Sequence, residues 1–150
     1  MLTPKAVTTF ALIYGIAFLG VGVLGFIPGV TQMHENAPEL AVEGPGHGYL
    51  LGLFHVNVLH NLVHVIFGVW GLIAMRTYPA ARMYARSVAI IYALLGIFGL
   101  IPALNTLFGL VPLHGNDVWL HFLLAAIAAV FGFAPVSGET ETTYDTPARV

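Results

Sequence analysis

The sequence predicts an all-α integral membrane protein built as a four-helix bundle. Of its 150 residues, 58% are hydrophobic and only 8% are charged, whereas soluble domains carry about 25% charged residues. The apolar residues fall into four runs, each close to the ~20 residues that a helix needs to cross the hydrocarbon core. All five basic residues lie near the chain ends or between the second and third runs. The positive-inside rule therefore places both termini in the cytoplasm.

The four predicted spans cover residues 7–29, 49–75, 87–108 and 118–134, within a transmembrane domain of residues 1–136. The first span follows Lys5 and is too long for the apolar region of a signal peptide, so we interpret it as a retained span. Pro102 is expected to kink or end the third span. Residues 137–150 are rich in Thr, Ser and Gly, which predicts a flexible cytoplasmic tail.

A weak internal repeat relates the first and third spans. Residues 22–28 resemble residues 96–102, and each segment lies near the outer end of its span. This similarity would make the bundle two duplicated helical hairpins, related by a pseudo-two-fold axis along the membrane normal.

Polar side chains are concentrated in the outer half of the second span. Side chains that ionise or hydrogen-bond are costly in hydrocarbon and tend to face a cavity, a ligand or the protein interior, so they are candidate functional residues. If the whole span is helical, Asn57, His60, Asn61 and His64 share one face and His55 points nearly opposite. The predicted cofactor-binding residues are these five together with one from the fourth span: His55, Asn57, His60, Asn61, His64 and His121.

The spacing of His60 and His64, one helical turn apart, allows both imidazoles to reach one metal ion. They cannot be the two trans ligands of one haem, because those ligands approach from opposite sides of the ring. His121 on the fourth span could supply the further ligand, and Asp117 precedes it by one turn. The predicted metal ligands are therefore His60, His64, His121 and Asp117, and a transition metal, haem or chlorophyll are the cofactors left open.

The residues that the spans lack exclude several classes of function. No acidic or basic side chain lies in the centre of any span, which argues against a secondary transporter. The absence of cysteine excludes thiol chemistry, and no basic stripe indicates a nucleic acid partner. His34, His47 and His114 lie in loops or at span ends and are expected to be solvated.

Three functions remain open. The first is a small structural or accessory subunit whose second span, through Gly68 and Gly71, packs on another copy or on a larger membrane complex. The second is a protein that binds a metal, haem or chlorophyll through its histidines. The third is a quinone-site or proton-exchanging membrane enzyme, which ranks last because no carboxylate partner is evident within the membrane. The sequence thus favours a non-enzymatic role.

The second-span motif resembles that of a known family. The residues Phe54-His55-Val56-Asn57, His60-Asn61-Leu62-Val63-His64 and Gly68-Val69-Trp70-Gly71 are similar to those of small bacterial four-span membrane proteins classified only as a domain of unknown function. The resemblance implies a multi-pass protein of a bacterial plasma membrane, in contact with the lipid bilayer. It implies no activity, substrate or cofactor.

Overall fold

The computed structural model describes residues 1–33, 35 and 39–138 and confirms a helical membrane bundle. Its helices are α1 (Pro4–Leu24), α2 (Val58–Ala74), α3 (Tyr78–Leu100) and α4 (Asn116–Phe133). By length and composition α1, α3 and α4 can cross a membrane, and α2 is a shorter apolar helix of 17 residues. His34 and almost all of the predicted tail lie outside the described residues.

The helices pack as two hairpins. Helix α1 lies along α2 and α3 lies along α4, while α1 also contacts α3 and touches α4 at few points. The backbone N–H of Leu2 donates to the carbonyl of Pro135 at 3.0 Å, and that of Ser137 donates to the carbonyl of Leu2 at 2.9 Å. Both ends of the bundle domain therefore lie on one side, here called the terminal end, and the opposite side is the loop end. The cytoplasmic location of the terminal end and the pseudo-two-fold axis stay predictions.

Glycines bring α1 and α2 into backbone contact. A Cβ atom added at Gly71 would lie 2.8 Å from the Cα of Gly15, and one added at Gly15 would lie 2.8 Å from the backbone N of Leu72. Gly68 faces the backbone of Leu19 in the same way. These glycines of α2 are therefore in contact with α1 within the chain, and packing of the second span on another copy or on a larger complex stays a prediction.

Aromatic side chains fill the centre of the bundle. Tyr84 and Tyr92 are almost completely buried, and Phe18 stacks on Tyr92 with ring centroids 5.1 Å apart. The Tyr84 hydroxyl donates a hydrogen bond to the carbonyl of Phe67 at 3.2 Å. This bond gives the hydroxyl a partner that lipid could not supply. This cluster closes the bundle beneath the histidines of α2.

The start of the second predicted span is a small sheet instead of a helix. Three antiparallel strands, β1 (Thr31–Gln32), β2 (Gly48–Leu50) and β3 (Phe54–Val56), lie at the loop end. Asn57 has an extended backbone, and its side-chain oxygen accepts a hydrogen bond from the His60 N–H at 2.9 Å. It is the N-cap of α2, a position that asparagine favours. The expectation that His55 and Asn57 lie on the helix is therefore wrong.

The third helix also differs from its predicted span. It begins at Tyr78, directly before Pro79, and proline suits the first turn of a helix because its missing N–H is not needed there. It ends at Leu100, ahead of Pro102, and turns follow. The proline therefore stands just after the helix, as its lack of an N–H group predicts.

Candidate functional site

Three predicted site residues meet in the loop-end half of the bundle. His60 and His64 project from successive turns of α2, and α4 brings His121 against them. The three side chains are buried, with exposed fractions of 5%, 6% and 3%. The rings of His60 and His64 meet edge to face with their centroids 4.5 Å apart. We call these three residues the histidine wall.

The hydrogen bond of His64 fixes its tautomer. Its Nδ1 lies 3.1 Å from the backbone carbonyl oxygen of His60. A carbonyl oxygen only accepts, so Nδ1 carries the hydrogen of the neutral ring and Nε2 keeps a free lone pair. Phe18 and Tyr92 pack edge-on against the His64 ring at 5.6 and 6.4 Å. His64 is thus oriented as a hydrogen-bond acceptor.

His60 has no such partner. Neither of its ring nitrogens makes a hydrogen bond within the described part of the chain. The Nδ1 of His121 is also unpartnered among the described residues, and the ring of His121 lies 5.3 Å from that of Tyr92. Buried side-chain polar atoms are rarely left in this state.

Two cavities flank the histidine wall. The first, of about 130 Å³, lies between α1, α4 and the β2–β3 hairpin, and we call it the α1–α4 cavity. The second, of about 150 Å³, lies between α2, α3 and the loop before α4, and we call it the α2–α3 cavity. His60, His64 and His121 line both cavities, and the other lining residues are mainly apolar. The imidazoles are therefore the shared polar wall of two apolar spaces.

Asp117 lines the α1–α4 cavity from the first turn of α4 and is 2% exposed. One of its carboxylate oxygens accepts the backbone N–H of His55 at 3.2 Å. An acidic group at the start of a helix is also stabilised by the helix dipole. Asp117 therefore ties strand β3 to α4 and places a carboxyl group beside the histidine wall.

Asn57 and Asn61 hold the loop end together. The side-chain amide of Asn57 donates to the carbonyls of Val42 at 2.8 Å and Leu110 at 2.7 Å, in addition to its role as N-cap. The amide of Asn61 donates to the carbonyl of Gly46 at 3.2 Å. Neither asparagine lines either cavity of the histidine wall. Their geometry gives them structural contacts, and a cofactor-binding role for them stays a prediction.

His55 belongs to a second histidine group. Its Nε2 lies 3.2 Å from Nε2 of His47, and its Nδ1 lies 3.3 Å from Nε2 of His114. The ring of Tyr49 stacks on it at 4.8 Å. Burial, followed by the neighbouring His114 and His47, lowers the pKa of His55 to about 4, while Glu43 acts in the opposite direction. We call this row of three imidazoles the imidazole chain.

The imidazole chain corrects one expectation from the sequence. His47 is only 7% exposed, so the prediction that it is solvated is wrong, and His114 is half-buried. Burial also lowers the pKa of His114. His114 comes from a loop 59 residues beyond His55, and no local spacing could reveal that contact.

Sequence reasoning found the histidine wall but missed its surroundings. Tyr92 lies against both His64 and His121, and the sequence indicates it only as a candidate partner of His64. No three His, Asp or Glu side chains within residues 1–33, 35 and 39–138 are placed to hold a metal ion. A metal site formed by the predicted ligands therefore stays a prediction.

Comparison with known proteins identifies the family. No curated protein and no solved structure matches the chain. The family model for a domain of unknown function, DUF4383, matches residues 8–134, which include all four helices almost completely. The resemblance seen in the second-span motif is thus confirmed at the level of the family: the chain belongs to the DUF4383 family of proteins of unknown function.

Proposed function

We propose that this membrane protein binds a lipid-soluble molecule with a single polar ring, of the quinone class, at the histidine wall. The observation that supports this most is the burial of His60 between two cavities, with both ring nitrogens unpartnered among the described residues. Leaving a buried polar group without a hydrogen bond costs about 1–3 kcal/mol. A ligand that supplies the missing partner is therefore stabilised at this position.

The cavity volumes favour a single ring over a macrocycle. The two spaces measure about 130 and about 150 Å³, and an apolar cavity of roughly 150 Å³ accommodates a benzene-sized ring. Pockets for larger ligands span about 300–1,000 Å³. A haem or chlorophyll ring is far larger than either space, whereas the six-membered ring of a quinone is close to benzene in size.

The polar groups suit both forms of a quinone. A neutral imidazole has one donor and one acceptor nitrogen, so His60 and His121 can donate to a quinone carbonyl or accept from a quinol hydroxyl. His64 is limited to accepting at Nε2, which favours a hydroxyl there. The wall therefore offers complementary partners to either form, in surroundings that suit an apolar ring.

A binding titration tests the proposal. We expect decylubiquinone and its reduced quinol to bind purified protein saturably, at one site per chain, as measured by calorimetry in lipid nanodiscs. His60→Leu should weaken binding at least tenfold, whereas His114→Leu, which removes an imidazole that lines neither cavity, should not. The proposal is rejected if neither form binds saturably, or if both variants bind as the wild type does.

A histidine-bound transition metal is the second candidate. It is favoured by the hydrogen bond from His64 Nδ1 to a backbone carbonyl, because metal-binding histidines commonly fix their second nitrogen in this way. Elemental analysis of protein purified without chelators separates the two candidates. One metal ion per chain that is lost in both His60→Ala and His64→Ala would favour the metal.

A structural or accessory role in a larger membrane assembly also stays open. Large apolar side chains are exposed on all four helices, for example Ile16, Ile66, Ile97 and Leu123, where they would contact lipid or another protein. The size of the particle extracted from native membranes in mild detergent tests this role. A particle no larger than a single chain with its lipid would argue against it.

A further inference from the structure

We infer that the seam between α1 and α4 is a lateral opening to the bilayer, and that the apolar tail of the ligand lies along it. This inference rests on the proposed function, since it requires the head group to sit at the histidine wall. It adds the ligand class: a molecule with one polar ring and a long apolar chain, rather than a free ring.

The first observation is the construction of the α1–α4 cavity. Both helices contribute apolar side chains to it, Val21 and Leu24 from α1 and Leu120 and Leu124 from α4. Leu24 is 40% exposed, so it borders the cavity and the lipid at once. Apolar side chains of both helices therefore lie between the histidine wall and the outer surface of the bundle here.

The second observation is a groove in the terminal half of the same seam. It has a volume of about 510 Å³ and is lined mainly by apolar side chains of both helices, including Phe10, Ile13, Ile127 and Phe131. The hydroxyl of Tyr14, which lines the groove, donates at 3.2 Å to the carbonyl of Leu124, which lines the cavity. The groove and the cavity are therefore neighbours along one seam.

The third observation is the contrast with the other seams. Gly15 and Gly71 bring α1 and α2 into backbone contact, and a Cβ at Gly132 of α4 would lie 3.0 Å from the backbone N of Arg86 in α3. Both seams are closed. The α1–α4 seam differs from these two because it combines an apolar groove with a cavity that has a polar wall at one end. A ligand with a polar head group and a linear apolar tail has the same order of polar and apolar parts.

The groove can be probed by photolabelling. A ubiquinone analogue with a diazirine at the end of a decyl tail would be bound in nanodiscs and irradiated, and labelled peptides would be mapped by mass spectrometry. We expect labelling in residues 6–14 of α1 and 124–131 of α4, suppressed by excess decylubiquinone. Ile13→Trp, which fills the groove, should reduce this competed labelling at least fivefold.

A matched variant provides the control. Ile16 lies on the same helix and is 59% exposed, against 58% for Ile13, but it does not line the groove. Both positions face lipid, where tryptophan is tolerated, so Ile16→Trp should leave the labelling unchanged. Competed labelling on other helices, or equal labelling in both variants, would overturn the inference and leave head-group binding intact. If no labelling is competed and decylubiquinone does not bind, the proposed function itself fails.

Discussion

Replacing His60 with leucine should stabilise the ligand-free protein while removing its binding site. In the wild type two buried ring nitrogens lack partners among the described residues, at a cost of about 1–3 kcal/mol. The change of shape to leucine costs less than about 1.5 kcal/mol. Because that cost applies to each of the two nitrogens, it exceeds the cost of the shape change by at least about 0.5 kcal/mol, which is the smallest gain expected in the free energy of unfolding. At this chain length 1 kcal/mol raises Tm by about 2–4 °C, so we expect a rise of at least about 1–2 °C.

Thermal unfolding of lipid-extracted protein, followed by circular dichroism, measures this change. His64→Leu is the control, because it removes a made hydrogen bond and should lower the stability by about 0.5–1.5 kcal/mol. Decylubiquinone at ~100 times its Kd should stabilise the wild type by about 2.7 kcal/mol and leave His60→Leu unchanged. A Tm of ligand-free His60→Leu below that of the wild type would refute the reasoning, since it would mean that His60 makes a stabilising hydrogen bond.

Three further predictions concern the fold, each measured by Tm. Gly71→Ala should destabilise the protein by about 1–3 kcal/mol, because the added Cβ would meet Gly15. Gly20→Ala adds a Cβ with nothing within 4 Å and should stabilise the protein by up to about 1 kcal/mol. Equal effects of the two substitutions would contradict the α1–α2 packing. Asn57→Ala should lower the free energy of unfolding by about 2–4 kcal/mol, since it removes a helix cap and two further hydrogen bonds. A loss below about 1 kcal/mol would argue against these hydrogen bonds. Folding lowers the pKa of His55 from its ordinary value of 6.5 to about 4, so between these pH values the unfolded chain binds a proton that the folded protein does not. The free energy of unfolding should therefore fall as the pH drops from 6.5 to 4. His55→Phe should flatten this pH dependence, and an unchanged dependence would show that other groups control the stability.

The helical membrane fold could be predicted because it depends on properties summed along the chain. Composition and four apolar runs are sufficient to specify a bundle, since only helices and closed barrels satisfy their backbone within lipid. The start of α2 could not be found in this way. Averaged hydropathy runs through β3 without a break, although Asn57 is a typical N-cap and Gly48 and Gly52 have the positive φ angles that glycine favours.

The candidate site also contains contacts that follow from local spacing and contacts that depend on tertiary packing. His60 and His64 were paired correctly by their spacing, because α2 is regular at that point and a periodic rule holds there. The contacts of His55 could not be predicted, since His47 and His114 reach it from separate loops. The cavities on both sides of the histidine wall depend on how four helices and a hairpin pack together, and no local pattern records that packing.

The most direct test of a quinone-class ligand at the histidine wall is the quinone content of protein purified from its native membrane. Lipid extracts of the wild type and of His60→Leu would be quantified by mass spectrometry, with His114→Leu as the matched control. We predict about one quinone per chain in the wild type and in His114→Leu, and at most a tenth of that in His60→Leu. Equal quinone content in all three proteins, or none in the wild type, would contradict the account.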